Sequence, residues 1–368
     1  MKPVTLFLCG DVMTGRGIDQ ILEHPSPPEI HEPYVTSALE YVELAESKNG
    51  RIPRRAPPAY IWGQALAELE RVQPHVRVVN LETSVTRSGD WVSKGINYRM
   101  HPGNVGCLTA AHVDCCALAN NHVLDWAANG LNETLATLAG AGIKTAGAGM
   151  NRTQAESAAV LPLASTGRVL VYSLGVESSG IPEEWSASNA KPGVYLLDER
   201  SEPQLRRLAQ HIRASKRPDD IVVASIHWGS NWGYTIFPDE TRLAHWFIDE
   251  ANVDVVHGHS SHHPRGIEVY RGKLVLYGCG DFINDYEGIH GYESFHPHLA
   301  LMYFPTLDPQ SGRLLRLELV PMRRVRFRCE RASEDEASWL CSVLQREGRR
   351  LGTQVTLRPD QRMELVTP

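Results

Sequence analysis

An α/β layered fold is the class that this 368-residue sequence predicts. Three observations point to it. Short apolar runs, most of them rich in β-branched residues, alternate with segments of helical length and periodicity. Most of those runs exit into polar or Gly-containing turns. The composition, 42% hydrophobic and 22% charged, is that of an ordinary globular chain able to fill a large core.

The elements follow in order. Residues 4–9 form the first apolar run and read as a buried strand. A helix over 61–71 precedes a second strand over 76–79. A third strand, 115–119, leads into a helix over 131–141. The strand series continues at 169–174, 221–226 and 253–256, with helices over 204–214 and 241–250. After His259 the pattern changes. Residues 267–270 and 273–277 read as a hairpin closed by Arg271-Gly272. Strands over 299–304 and 315–320, a helix over 334–349 and a last strand over 354–357 complete the chain. One domain over 1–368 is expected, with insertions at 19–58 and 84–102. The first insertion carries Pro25-Ser26-Pro27-Pro28 and Arg54-Arg55-Ala56-Pro57-Pro58. Long segments of this kind face substrate or elaborate the surface.

The formal net charge of −6, with no long run of one sign, argues against a general nucleic-acid binder. No stretch approaches the roughly 20 apolar residues of a membrane span. The first apolar run is shorter than a secretory signal needs. A cytoplasmic protein with no membrane partner is therefore expected. The seven cysteines, odd in number and scattered in apolar runs, read as buried free thiols rather than as a disulfide framework. The oligomeric state has no signature here.

Chemistry concentrates at the strand exits. Asp11 follows the first strand, Asn80 and Glu82 the second. Asn120, Asn121, His122 and Asp125 follow the third, and His227 follows 221–226. The run HGHSSHH places His257, His259, His262 and His263 after 253–256. Open α/β sheets bind ligands at the carboxyl ends of their strands. The exits should therefore converge on one cleft. So dense a histidine cluster reads as metal or proton chemistry.

The ordered set GDVM, NLETS, ANNHVLD, SIHWG and GHSSHHP resembles the capsule-synthesis CapA-like branch of the calcineurin-like metallophosphoesterase fold. The stretch IEVYRGKLVLYGCGDFINDY also fits, so the resemblance spans about residues 5–305. It implies a four-layer fold, a β-sandwich flanked by helices, with a metal centre at the strand ends. Matched residue by residue, it implies Asp11, Glu82, Asn121, His227, His259 and His262 as metal ligands and His122 as the adjacent catalytic His. In two departures, Met13 stands where the first motif usually has His, and Glu82 replaces the usual bridging Asp. Met13 is a soft, weak ligand for a hard cation, which counts against a close two-metal clamp. The cofactor is a divalent ion: mixed Asp, Asn and His ligands suit Mn²⁺ or Zn²⁺, and a water-rich site suits Ca²⁺ or Mg²⁺.

The resemblance also covers soluble peptide epimerases acting on ribosomal, lasso-type precursor peptides. A metal-dependent epimerase with a peptide substrate is the leading expectation. The alternatives are metal-dependent hydrolysis of a phosphoester or amide, a role in poly-γ-glutamate capsule synthesis, or a metal-binding assembly protein without turnover. Epimerisation at Cα needs an acid and a base on opposite faces. Asp11, His122 and Asp125 are the expected catalytic groups, Asp125 orienting the imidazole three residues away. His296 joins them from a second set (Asp281, Asp285, His290, His296 and His298) placed in the long loop after the hairpin. Arg16, Lys94 and Arg99 are candidates to hold a peptide carboxylate. Trp232, with Trp91, Trp228 and Tyr234, is a candidate to pack an aromatic side chain. The competing readings are that Asp125 caps the helix near Trp126, that Arg16 pairs with a carboxylate, and that His296 and His298 are surface residues.

Overall fold

Alternation along the first strand sets the architecture. In Val4–Val12, Leu6 and Leu8 point to one side and Phe7 and Cys9 to the other, as the two-residue strand period requires. Leu6 and Leu8 join Val169, Val171, Val223 and Val255 in an apolar layer between two sheets. Phe7 and Cys9 join Leu69, Leu131 and Leu138 between a sheet and helices. A third cluster packs Leu170, Val222 and Ala224 against Leu208, Ile212, Leu243 and Phe247 of helices Glu202–Ser215 and Pro238–Asp249. The layers therefore run helix, sheet, sheet, helix, which is the flanked β-sandwich expected. The computed structural model describes residues 2–164 and 167–366.

The larger sheet contains ten strands among the described residues. Val4–Val12 lies inside it, parallel to Val76–Leu81 and antiparallel to Leu299–Leu307. The second sheet contains six, and Arg168–Gly175, Ile221–His227 and Val255–His259 run parallel through its middle. Buried on both faces, these strands need near-continuous apolar sequence, and Ile221–His227 reads IVVASIH. The hairpin closes as expected on Arg271 (φ 50°) and Gly272 (φ 78°). All seven cysteines are free and buried, with Cys115 facing the other sheet and Cys116 the helices. Among the described residues no helix is long and apolar enough to cross a membrane.

Four expectations need correction. The first strand runs to Val12, so Asp11 lies within the sheet. The helix expected over 61–71 is split into the 3-10 turn Tyr60–Trp62 and the helix Ala65–Val72, with Gly63 at φ 46° between them. The 19–58 insertion contains the helix Ala38–Asn49, opened by Ser37 accepting a hydrogen bond from Leu39 N–H. The largest correction concerns the stretch after the hairpin. It begins with a strand, Asp281–Ile283, parallel to Val4–Val12 and with Asp11 opposite Asp281. Gly10 permits this approach: a Cβ there would lie 1.7 Å from the Gly280 carbonyl oxygen.

Candidate metal centre

Four strand ends bring the centre together. Asp11 comes from Val4–Val12, His227 from Ile221–His227, His259 from Val255–His259 and Asp281 from Asp281–Ile283. Register places His227 opposite His259, and Asp11 opposite Asp281. Asp11, His227 and His259 form one set of donors with ligand atoms within 4.8 Å of one another. Asp11, His262 and Asp281 form a second set by the same measure, so Asp11 belongs to both. All five side chains are buried.

Neighbouring amides hold these groups. Asn80 Nδ2 donates to Asp11 Oδ1 at 2.7 Å, and Asn120 Nδ2 donates to Asn80 Oδ1 at 3.0 Å. Asn284 Nδ2 donates to Asp281 Oδ2 at 2.6 Å. His227 Nε2 lies 3.1 Å from Asn121 Oδ1, so Asn121 adjoins the first set. His262 Nδ1 lies 2.8 Å from Asp281 Oδ1. Glu82 is buried beside Asn80, with Oε1 3.8 Å from His122 Nε2.

The electrostatics fit a cation. Burial and the Asp281 carboxylate push Asp11 up to about 7. Burial, then Asp11 and Asp281, raise Glu82 well above the carboxylate range. Burial holds His227 and His259 well below the usual imidazole range, keeping them neutral as ligands must be. Carboxylates that repel one another beside neutral imidazoles form a donor set completed by a divalent ion. Three imidazoles, three carboxylates and an amide oxygen suit Mn²⁺ or Zn²⁺.

His122 stands next to this centre. Its Nδ1 lies 2.7 Å from Asp125 Oδ2, so the carboxylate does orient the ring. Asp125 does not cap the following helix; it also accepts from Tyr98 N–H at 2.6 Å. Lys94 Nζ lies 2.8 Å from Asp125 Oδ1 and 3.3 Å from His122 Nδ1. Burial, with a contribution from Lys94, pushes His122 down to about 4 against the pull of Asp125. The imidazole is therefore neutral near pH 7, with Nε2 on the Glu82 side.

A cleft of about 450 Å³ opens over Glu82, Asn121, His122 and His262. Both insertions wall it: Tyr34, Tyr41 and Leu44 come from the first, Ile96 and Tyr98 from the second. Trp232 lines it, with its ring 4.0 Å from that of Tyr292.

Several expected site residues lie elsewhere. His296 stacks on Trp339 at 4.0 Å and does not line the cleft, because Trp339 of the helix Glu334–Gly348 offers it a flat platform. Arg16 reaches the cleft wall, but its guanidinium is committed to Asp285 at 2.6 Å and Glu32 at 2.9 Å. Arg99 lies over the Trp126 ring at 4.0 Å and donates to the carbonyls of Ser88 and Pro27. Lys94 anchors Asp125, so its first partner is the dyad and not a ligand carboxylate. Trp228 is core, donating to the Tyr277 carbonyl. Trp91 stacks on His31, and Tyr234 packs against His263. His257 bonds Cys9 O and Ser225 Oγ, and His263 bonds Gly233 N–H, so half of the histidine cluster is structural.

Residues 5–286 match the family described as bacterial capsule synthesis protein PGA_cap. The chain belongs to that family. It is 48% identical to a probable polyglutamine synthesis accessory protein of Mycobacterium tuberculosis, over 99% of this chain and 96% of that one. It is 25% identical to the PGA biosynthesis protein CapA of Bacillus subtilis, over 75% of this chain and 62% of that one. A solved calcineurin-like phosphoesterase of Bacillus subtilis aligns with a TM-score of 0.46 at 10% identity, covering 95% of this chain and 98% of that one. Asp281 is a candidate donor that the motif comparison does not include in the expected metal set. Its signal was one more strand exit, the GCGD that follows the apolar run KLVLY.

Proposed function

We propose that this member of the PGA_cap family is a metal-dependent hydrolase of amide or phosphoester bonds. We place it in the synthesis of a glutamyl or glutaminyl polymer, the role that the names of its relatives carry. The observation that carries the reading is the pair of donor sets sharing Asp11 beside the His122–Asp125 dyad. Asp281 provides the carboxylate that offsets the weak ligand at Met13, so a two-metal clamp is chemically available.

Divalent cations held by Asp11, His227 and His259 and by Asp11, His262 and Asp281 would lower the pKa of water and withdraw charge from a scissile carbonyl or phosphoryl group. The protein's own groups do the rest. Asp125 holds His122 through Nδ1, leaving Nε2 to accept a proton from the attacking water and pass it to the leaving group. Lys94 fixes Asp125. The first insertion walls the cleft without sealing it, which favours turnover over a purely structural metal. Peptide epimerisation, the leading expectation from sequence, needs a second proton carrier across the substrate. His296, the residue expected in that role, lies outside the cleft.

The test is an assay of chelator-stripped protein reloaded with Mn²⁺ or Zn²⁺. The substrates are bis-p-nitrophenyl phosphate and capped oligoglutamyl and oligoglutaminyl peptides in D₂O. Metal-dependent cleavage, lost in Asp11→Asn and His122→Ala, is the expected result. Intact peptide that has gained a Cα deuteron would return the chain to the epimerase reading.

A further inference from the structure

The cleft over the metal centre has unusual walls for a family named after an anionic polymer. Its outer surface is aromatic and aliphatic: Tyr34 is 66% exposed and Tyr292 40% exposed, and Leu44 adds an aliphatic edge. Trp232 and Tyr292 stack face to face with centroids 4.0 Å apart and an interplanar angle of 8°, so the stack offers the outer face of the exposed Tyr292 ring, backed by Trp232. Arg16 is the one Arg or Lys side chain among the described residues lining the cleft. Asp285 and Glu32 both ion-pair with it. Lys94, the nearby cation, is taken by Asp125. Asp11, Glu82 and Asp281, with the net negative charge that Asp285 and Glu32 leave on Arg16, remain to balance two divalent ions. No surplus positive charge is left for a run of carboxylates, which would meet a charge-balanced metal centre below and apolar side chains on the walls.

Resting on the hydrolase reading, we infer that this cleft takes an uncharged segment of the substrate chain and excludes a polyanionic one. The favoured unit bears a flat neutral side group, a primary amide or an aromatic ring, laid against the outer face of Tyr292. One carbonyl or phosphoryl group of that unit reaches the metal centre, and the flanking residues contribute apolar contact. A chain whose carboxyls are amidated fits; its free-acid counterpart does not.

The experiment is calorimetric titration of the Mn²⁺-loaded chain with two capped γ-linked oligomers of equal length. One is oligoglutamate; the other carries the same backbone with every free carboxyl amidated. The amidated oligomer is expected to bind at least ~10-fold more tightly, with little dependence on salt. Tyr34→Ala and Tyr292→Ala, both on the exposed wall, should each weaken it severalfold while leaving metal binding intact. Equal or tighter binding of oligoglutamate, falling as salt rises, would overturn the inference. So would failure of both oligomers to bind, or an unchanged affinity in both variants. Binding is read without turnover. Selective binding with no cleavage would therefore remove the hydrolase reading alone, and cleavage confined to the anionic oligomer would remove this inference alone.

Discussion

Asp11 and Asp281 are register partners on two parallel strands, and both contribute to a donor set that also contains His262. The Asp11 amide donates to the Gly280 carbonyl at 3.1 Å, which locks the two strands at that point. Two carboxylates held side by side in a buried site repel each other, and a cation relieves that repulsion.

The close approach depends on Gly10. Any Cβ there meets the Gly280 carbonyl at 1.7 Å, and backbone cannot move aside as a flexible side chain can. Gly10→Ala is expected to destabilise the fold by about 1–3 kcal/mol or more and to weaken metal binding. Denaturant melts and metal titration of the same preparation check both effects. Wild-type stability in Gly10→Ala would refute the tight packing of this strand pair.

Removing the metal should matter more as pH rises. Asp11 is raised to about 7, so the metal-free fold binds its proton more tightly than the unfolded chain does. That contribution to stability is lost as pH rises from the unfolded carboxylate value, about 4, through about 7. A bound cation keeps the carboxylate ionised and removes the loss. The gap in Tm between metal-loaded and chelator-treated protein should widen from about pH 5 to about pH 7.5. A gap that narrows over that range contradicts the assignment.

His257 predicts acid sensitivity of the opposite sign. Burial pushes it down to about 4 while it bonds Cys9 O at 2.8 Å. A depressed imidazole stabilises the fold above its unfolded value, about 6.5, and that stability fades as pH falls toward 4. The loss from this one residue is on the order of 3 kcal/mol. His257→Asn should be less stable at neutral pH but show a shallower decline in acid, measured by urea melts at a series of pH values.

On the hydrolase reading, Asp125 acts through His122. Asp125→Asn leaves the ring without its carboxylate partner at 2.7 Å. Its kcat is expected to fall by about 10²–10⁴-fold, with metal content unchanged. Lys94→Met should lower kcat less, because Asp125 still receives the Tyr98 amide at 2.6 Å. Equal activity of Asp125→Asn and wild type would remove the dyad from the chemistry.

Much of this site was legible in the sequence because parallel strands carry local signals. The β-branched run ending at His227 and the apolar run CCALA before Asn121 mark their own exits, and strand register brings those exits together. Asp281 was not legible as a ligand. Its strand is three residues long, and its pairing with Val4–Val12 depends on two glycines meeting across a long separation. Arg16 was equally opaque. Whether it binds substrate or a carboxylate depends on Glu32 and Asp285, which no local pattern connects to it. His296 was misplaced because the Trp339 platform comes from a helix near the C-terminal end. In the histidine cluster, neighbours in sequence divide between metal donors and backbone partners, since a strand followed by a turn sends them to different faces.

The most direct test of the metal centre is its stoichiometry. Mn²⁺ titration of stripped protein by calorimetry, with metal content measured after dialysis, should show two ions per chain, one for each donor set. In Asp281→Asn one of the two should be lost or weakened by at least ~10–100-fold, while the Asp11–His227–His259 position is retained. A single ion in the wild type whose affinity does not respond to Asp281→Asn would contradict the shared-Asp11 centre and the hydrolase reading built on it.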